Sequence, residues 1–138
     1  MRIPVEIRRI TPEQTYVLRH AVLWPDKPLD YVKVENDAAG HHFGAFCGQE
    51  LVSVISLFVE EKQARFRKFA TAPEWQKQGI GSQLLQRVIE EARQLGASAL
   101  WCDARQDAAA FYRRFGMTGE EPVFYKGDIP YQRMSVGL

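Results

Sequence analysis

The feature that most constrains this sequence is a long amphipathic stretch in its second half, "GSQLLQRVIEEARQLG", which runs from Gly81 to Gly96. Apolar side chains recur there every three or four residues, which is the period of one face of an α-helix. This apolar face consists of Ile80, Leu84, Leu85, Val88, Ile89, Ala92 and Leu95. Gly96 is typical of a helix C-terminus. The sequence therefore predicts a helix that packs one side against the rest of the protein.

The segments around this helix predict strands and two further helices. Strands are expected at residues 5–10, 42–47, 51–59, 63–71 and 97–103, and on both sides of the Gly127-Asp128 turn within 121–136. Thr11-Pro12-Glu13 has the residues of a helix N-terminus, and a short helix is expected within 107–116. Residues 24–40 are expected to be irregular or partly helical. This order of elements predicts a mixed α/β fold.

Size, charge and cysteine content restrict the class of protein. The 138 residues, 46% hydrophobic and 25% charged, suit one soluble domain, residues 1–138. A net charge of +1 supplies no basic field for nucleic acid. The N-terminal residues show no secretory signal, and no apolar run is long enough to cross a membrane. Cys47 and Cys102 do not form a metal-type cluster, so we expect reduced thiols in a cytoplasmic protein.

The start of the long helix lacks the groups that normally satisfy a helix N-terminus. Two glycines, Gly79 and Gly81, lie at this start, and no acidic residue occurs from Gln76 to Arg87. Free N–H groups and the positive end of the helix dipole favour a negative charge there. An external anion would supply this negative charge. An equally open alternative is that the glycines only allow close packing.

Two common nucleotide-binding motifs do not match this glycine turn. A dinucleotide fingerprint needs a third glycine where this chain has Leu84, and a P-loop needs Gly-Lys followed by Ser or Thr. Here Gly81 is followed by Ser82-Gln83. Both motifs are therefore excluded.

Three motifs together resemble one family. Gln76-x-x-Gly79-x-Gly81 follows a strand and opens a helix, "FYRRFGM" follows the next strand, and "GDIPYQRMSV" lies near the C-terminus. This arrangement resembles the GCN5-related N-acetyltransferases. The resemblance implies the acyl-CoA N-acyltransferase fold, a mixed and mostly antiparallel central sheet with a splayed parallel strand pair, flanked by helices.

The resemblance implies acetyl-CoA as co-substrate. Backbone N–H groups of the glycine loop would hold its pyrophosphate; these residues are Gln76, Lys77, Gln78, Gly79, Ile80, Gly81 and Ser82. The pantetheine arm would pair with the backbone of Phe69, Ala70 and Thr71, between splayed strands at 65–71 and 98–103. Arg105 stands where family members often carry Asn in contact with pantetheine. Arg114, with its neighbour Arg113, could reach the 3′-phosphate, although a solvated helix face explains both arginines equally well.

Tyr112 matches the tyrosine that in this family often protonates the departing thiolate. A phenol with a pKa of about 10 can donate to a thiolate whose thiol has a pKa of about 8.5. The alternative is a core aromatic residue beside Phe111 and Phe115. A backbone N–H near Phe69 or Ala70 would stabilise the carbonyl oxygen. No carboxylate in residues 65–69 offers a general base, so a water chain or a loop group is expected to serve.

The acceptor side is less defined by the sequence. Trp24, Tyr31 and His42 belong to the segment that borders the acceptor in this family. Arg65 and Arg67 share one strand face and could meet a carboxylate or phosphate on the acceptor, or simply contact solvent and neighbouring strands. Adjacent strand residues point to opposite faces, so His41-His42 does not predict a metal site, and no metal is expected.

These observations favour one function over two others. The leading hypothesis is an N-acetyltransferase that moves the acetyl group of acetyl-CoA to a primary amine of a small molecule or peptide by direct attack. The alternatives are a non-catalytic acyl-CoA-binding or sensing module, supported by the missing carboxylate and by Arg105, and an interaction domain without cofactor. Strand edges near Val123 to Val136 are compatible with a homodimer.

Overall fold

Seven β-strands form one sheet in a computed structural model that describes residues 4–138. The strands are β1 (Glu6–Ile10), β2 (His41–Cys47), β3 (Glu50–Glu60), β4 (Gln63–Thr71), β5 (Ala99–Arg105), β6 (Thr118–Lys126) and β7 (Ile129–Gly137). Their order across the sheet is β1-β2-β3-β4-β5-β7-β6. Every neighbouring pair is antiparallel except β4 and β5, which are parallel. The predicted fold class is confirmed.

Three α-helices connect these strands. They are α1 (Pro12–Leu18), α2 (Ile80–Gln94) and α3 (Ala109–Arg113). Thr11 caps α1 in a reciprocal pair, because its hydroxyl accepts from the Gln14 N–H while the Gln14 side chain accepts from the Thr11 N–H. Among residues 4–138 the helices include none with the length and apolar character to cross a lipid bilayer.

The segment after α1 is irregular, as the sequence predicts for residues 24–40. A π-helical turn, Arg19–Leu23, extends α1, and two 3₁₀ turns follow at Leu29–Val32 and Asp37–Ala39. Pro25 and Pro28 lie between the first two of these turns and cannot continue a helix.

Helices cover both faces of the sheet. On one face α2 and α3 bury an apolar core, in which Leu84 and Leu85 pack with Phe43 and Leu57. On the other face the π-helical turn lies against the sheet, where Arg19 donates to the Ser56 hydroxyl at 2.9 Å. Leu95, the last member of the predicted apolar face, is exposed instead, because α2 ends one residue before it.

The parallel strands β4 and β5 separate along their length. Their pairing joins residues 63–65 to residues 99–101 and ends at Arg65 and Trp101. In the part of the chain that the structure describes, the rest of β4 therefore has no strand partner on that side. The sheet is open at this point, as expected for a splayed pair.

A β-bulge lies on β4 beside the opening. Arg67 pairs with Ser56 and Ala70 pairs with Val54, so two residues of β4 face one residue of β3. Lys68, inside the bulge, has a φ of 56°. The bulge changes the alternation of side chains, and Phe66 and Phe69 pack on the same face with ring centroids 6.2 Å apart.

Candidate active site at the split in the sheet

A cavity of about 620 Å³ lies where β4 and β5 separate. Its wall includes Phe66 and Tyr112, which belong to the core under α2 and α3. It also includes Leu23, Trp24 and Arg105 from the opposite face of the sheet. The cavity therefore connects the two faces through the gap between the strands.

The structure brings many of the predicted site residues to this cavity. Those that line it are Trp24, Tyr31, Arg65, Arg67, Phe69, Gln76, Arg105 and Tyr112. A second pocket, of about 650 Å³, lies outside the start of α2, and Gln78, Gly79 and Ser82 line it. The predicted residues that line neither space are His42, Ala70, Thr71, Lys77, Ile80, Gly81 and Arg114.

The glycine loop presents an open helix N-terminus. Gly79 is the N-cap of α2, with a φ of 80° and no side-chain hydrogen bond, and the first turn contains no acidic residue. A Cβ atom at Gly79 would meet nothing within 4 Å, so the space before the helix is open. Gly81 lies within the first turn of the helix. This geometry fits a phosphate group held by backbone N–H groups.

Side chains of the loop hold it in place. The Gln76 amide donates to the carbonyl of Thr71 at 2.9 Å, and the Gln78 amide donates to the carbonyl of Glu74 at 3.1 Å. Lys77 has a φ of 62°, in the left-handed region. The loop between β4 and α2 is therefore fixed by its own contacts, which include a bond from the Gln76 N–H to the carbonyl of Pro73 at 3.2 Å.

Tyr112 both packs in the core and faces the cavity. Its ring centroid lies 5.6 Å from that of Phe66 and 5.3 Å from that of Phe111. Burial raises the pKa of Tyr112 far above its ordinary value of 10, and Cys102 adds to this rise, so the phenol stays protonated at neutral pH. Within residues 4–138 its hydroxyl has no hydrogen-bond partner. The phenol proton is therefore available to a group in the cavity.

Arg105 links three elements at the cavity wall. Its Nε donates to the Tyr131 hydroxyl at 3.2 Å, and its Nη2 donates to the carbonyl of Leu23 at 2.8 Å. The guanidinium carbon lies 5.4 Å from the Trp24 ring centroid. Arg105 thus ties the end of β5 to β7 and to the π-helical turn.

The predicted acceptor residues differ in their placement. Trp24 and Tyr31 pack edge to face, with ring centroids 5.2 Å apart, and both line the cavity. Arg65 bonds to Asp103 at 2.9 Å. His42 is 3% exposed and does not line the cavity, and its Nδ1 is bonded to Ser56 and its Nε2 to the carbonyl of Asp37, each at 2.7 Å. His42 is therefore a buried structural residue.

The sequence did not indicate a buried ion pair on the face of the sheet opposite α2. Arg19 Nη1 and Nη2 lie 2.8 and 2.9 Å from the two carboxylate oxygens of Asp37. Burial opposes ionisation of Asp37, but the bonds from Arg19 and from the Val34 N–H outweigh it and lower the pKa of the carboxyl. Arg19 and Asp37 are 18 residues apart along the chain, and no local sequence pattern predicts that they pair.

The sequence also did not single out three lysines of the cavity wall. Lys33, Lys68 and Lys126 line the cavity together with the predicted arginines. Burial lowers the pKa of Lys68 to about 8, and repulsion from Arg67 and Lys126 contributes to the same shift. Burial also lowers the pKa of Lys126.

Within residues 4–138, no group of three or more His, Cys, Asp or Glu side chains is placed to hold a metal ion.

Known proteins share this architecture and sequence pattern. The model of the acetyltransferase (GNAT) family matches residues 6–117. The uncharacterized N-acetyltransferase YitI of Bacillus subtilis strain 168 is 30% identical over 121 residues, which cover 81% of each chain.

Crystal structures show the same fold at lower identity. Escherichia coli ElaA superposes with a TM-score of 0.80 at 16% identity, covering 96% of this chain and 99% of ElaA. A GNAT family acetyltransferase from Elizabethkingia anophelis with acetyl-CoA bound has a TM-score of 0.76 at 19% identity, covering 97% and 98% of the two chains.

Proposed function

The chain belongs to the acetyltransferase (GNAT) family, and on this premise we propose that it transfers the acetyl group of acetyl-CoA to a primary amine of a small molecule or peptide by direct attack. The observation that carries the proposal is the cavity at the split between β4 and β5, which reaches from Tyr112 to the opposite face of the sheet. In this proposal residues 1–138 act as a single catalytic domain.

The co-substrate is assigned to the α2 side of the sheet. The open N-terminus of α2 and the glycine loop from Gln76 to Ser82 offer N–H groups to the pyrophosphate, supported by the left-handed backbone of Gly79. The free side of β4, at Phe69 to Thr71, offers backbone groups to the amides of pantetheine. Arg105 and Arg114 remain proposed contacts, although the guanidinium of Arg105 already bonds within the protein.

The transfer needs a neutral amine, a donor to the carbonyl oxygen and a proton for the leaving sulfur. Acetyl-CoA supplies the activated acetyl group. As the new C–N bond forms and the C–S bond breaks, the hydroxyl of Tyr112 gives its proton to the sulfur, and an N–H near Phe69 donates to the carbonyl oxygen. The attacking nitrogen loses one proton as the amide forms, and a water chain carries this proton away and restores the phenol of Tyr112. Both groups lie at the opening, where burial keeps Tyr112 protonated.

The acceptor is assigned to the opposite side of the sheet. Trp24, Tyr31, Arg65 and Arg67 line the cavity there. Cys47 and Cys102 are both free thiols, which supports the proposal of a reducing, cytoplasmic location. The homodimer stays a prediction.

The test is release of CoA in the presence of acetyl-CoA and a panel of primary amines, with Tyr112→Phe as the variant. We expect Tyr112→Phe to reduce kcat by about 100-fold, because the proton donor is lost, while KM for acetyl-CoA changes little. Tyr125→Phe is the matched control, since Tyr125 is 66% exposed and does not line the cavity.

Two results would contradict the proposal. Stabilisation by CoA without acetylation of any amine would support the non-catalytic binding module instead. A Tyr112→Phe variant as active as the wild type would show that another group protonates the sulfur.

A further inference from the structure

The wall of the cavity carries an excess of positive charge. Six cationic side chains line it, namely Lys33, Arg65, Arg67, Lys68, Arg105 and Lys126, against the two carboxylates of Asp103 and Asp107. Asp103 does not neutralise the rest, because both of its oxygens are engaged, one by Arg65 and the other by Arg133. Asp107 is an exposed residue.

Three of the six cations have partners within the protein. Lys33 pairs with Asp30, Arg65 pairs with Asp103, and Arg105 bonds to a carbonyl and a hydroxyl. Arg67, Lys68 and Lys126 make no ion pair and no side-chain hydrogen bond to any residue of the described range 4–138. These three side chains are called the cation triad below.

The cation triad is held at an energetic disadvantage. All three side chains are half-buried, so part of their hydration is lost without a compensating charge. The pKa of Lys68 is lowered first by burial and then by repulsion from Arg67 and Lys126, so the folded protein disfavours the charged form of this side chain. An anion in the cavity would offset both the lost hydration and the mutual repulsion.

Contacts place the triad on the acceptor side of the sheet. Arg67 lies opposite Ser56 in the strand register, and Ser56 accepts a hydrogen bond from Arg19 of the π-helical turn. The ammonium of Lys126 lies 4.6 Å from the ring centroid of Tyr131, and Tyr131 accepts from Arg105. The phosphates of CoA are assigned to the start of α2, on the other side. The triad is therefore free to serve a different anion.

We propose that the acceptor amine carries a carboxylate or phosphate group and that Arg67, Lys68 and Lys126 bind this group. Arg67 offers a planar donor fork that suits either anion, and the two lysines add point charges from Lys68 in the β4 bulge and Lys126 at the end of β6. The anion anchors the acceptor so that its amine reaches the opening near Tyr112. This inference rests on the proposed function and names its substrate class.

The experiment compares short amines that differ in the group at the far end. One set is ethanolamine, O-phosphoethanolamine, β-alanine and ethylenediamine, and a longer set is aminopentanol, aminopentanoate and cadaverine. Binding to the CoA-saturated protein is measured by calorimetry at constant ionic strength, and acetylation is measured by CoA release. The phosphate and carboxylate members separate the two sources of negative charge.

We expect an anionic member to bind about tenfold more tightly than its neutral analogue, and the dications to bind most weakly. Arg67→Gln and Lys68→Gln should each remove most of that preference. Lys62→Gln is the matched control, because Lys62 has the same left-handed backbone as Lys68 but is exposed and does not line the cavity.

The outcomes separate this inference from the proposed function. Equal binding of neutral and anionic members, or a preference that survives Arg67→Gln, overturns the inference even if amines are acetylated. Preferential binding of the anionic members without any acetylation supports the inference and overturns the proposed function.

Discussion

The two faces of the central sheet are stabilised by different kinds of interaction. On the α2 face, Leu84, Leu85 and Val88 are fully buried in an apolar core. On the opposite face, the fully buried Arg19 forms a bidentate ion pair with Asp37. The first face is held by close packing of apolar side chains, and the second by hydrogen bonds between charged groups.

This difference corresponds to the two ligands of the proposed function. The α2 face of the sheet fixes the start of α2, where in that proposal backbone N–H groups bind the phosphate groups of acetyl-CoA. The polar network fixes the irregular segment that supplies Trp24, Tyr31 and Lys33 to the cavity. Arg19 achieves this by donating also to the carbonyl of Val32. The acceptor side can thus keep an unusual backbone path without a regular helix.

The largest expected effect comes from breaking the polar network. Asp37→Ala leaves the guanidinium of Arg19 buried without a counter-charge, so the free energy of unfolding should fall by about 3–5 kcal/mol. Denaturant unfolding measures this loss. Stabilisation of the remaining folded protein by CoA should persist, because the α2 face is intact.

Asp30→Ala is the matched control for that variant. Asp30 also pairs with a cation, Lys33, but the two side chains are 84% and 48% exposed, so Asp30→Ala should lower the free energy of unfolding far less than Asp37→Ala does. Equal losses for Asp37→Ala and Asp30→Ala would contradict the view that the buried pair holds the acceptor face.

The sequence predicted the structure on the α2 face of the sheet better than the structure on the opposite face. The bounds of β4, 63–71, match the prediction, and the start of α2 differs from it by one residue. The agreement is close because both elements carry local sequence patterns. The Arg19–Asp37 pair joins residues far apart along the chain, and nothing local indicates it. The bulge at Lys68 depends on the register with β3, which a single strand does not encode.

A smaller effect on stability should come from Lys68→Gln. Removing this charge removes the cost of burying it and relieves its repulsion with Arg67, Lys126, Arg19 and Arg105, so the variant should melt a few degrees higher than the wild type at pH 7. The pKa of Lys68 is about 8 in the folded protein against 10.5 as the ordinary value. The unfolded wild type therefore binds more protons above pH 8, and its stability rises relative to the variant from pH 8 to pH 10.5.

Thermal melts of both proteins between pH 7 and pH 10 measure this convergence. Lys62→Gln should show no such change with pH. A difference between wild type and Lys68→Gln that stays constant over this range would show that Lys68 is not under electrostatic strain.

The smallest expected effect is that of Arg67→Gln on the affinity for CoA, measured by calorimetry with Gly79→Ala as the reference. This measurement tests most directly the central claim that the two ligands use opposite faces of the sheet. Gly79→Ala should weaken CoA binding by about tenfold, because alanine disfavours the left-handed backbone at this position. Arg67→Gln should change CoA affinity by less than about twofold, since electrostatic effects weaken with distance. Equal weakening by both variants would place the cation triad in the CoA site and contradict the account.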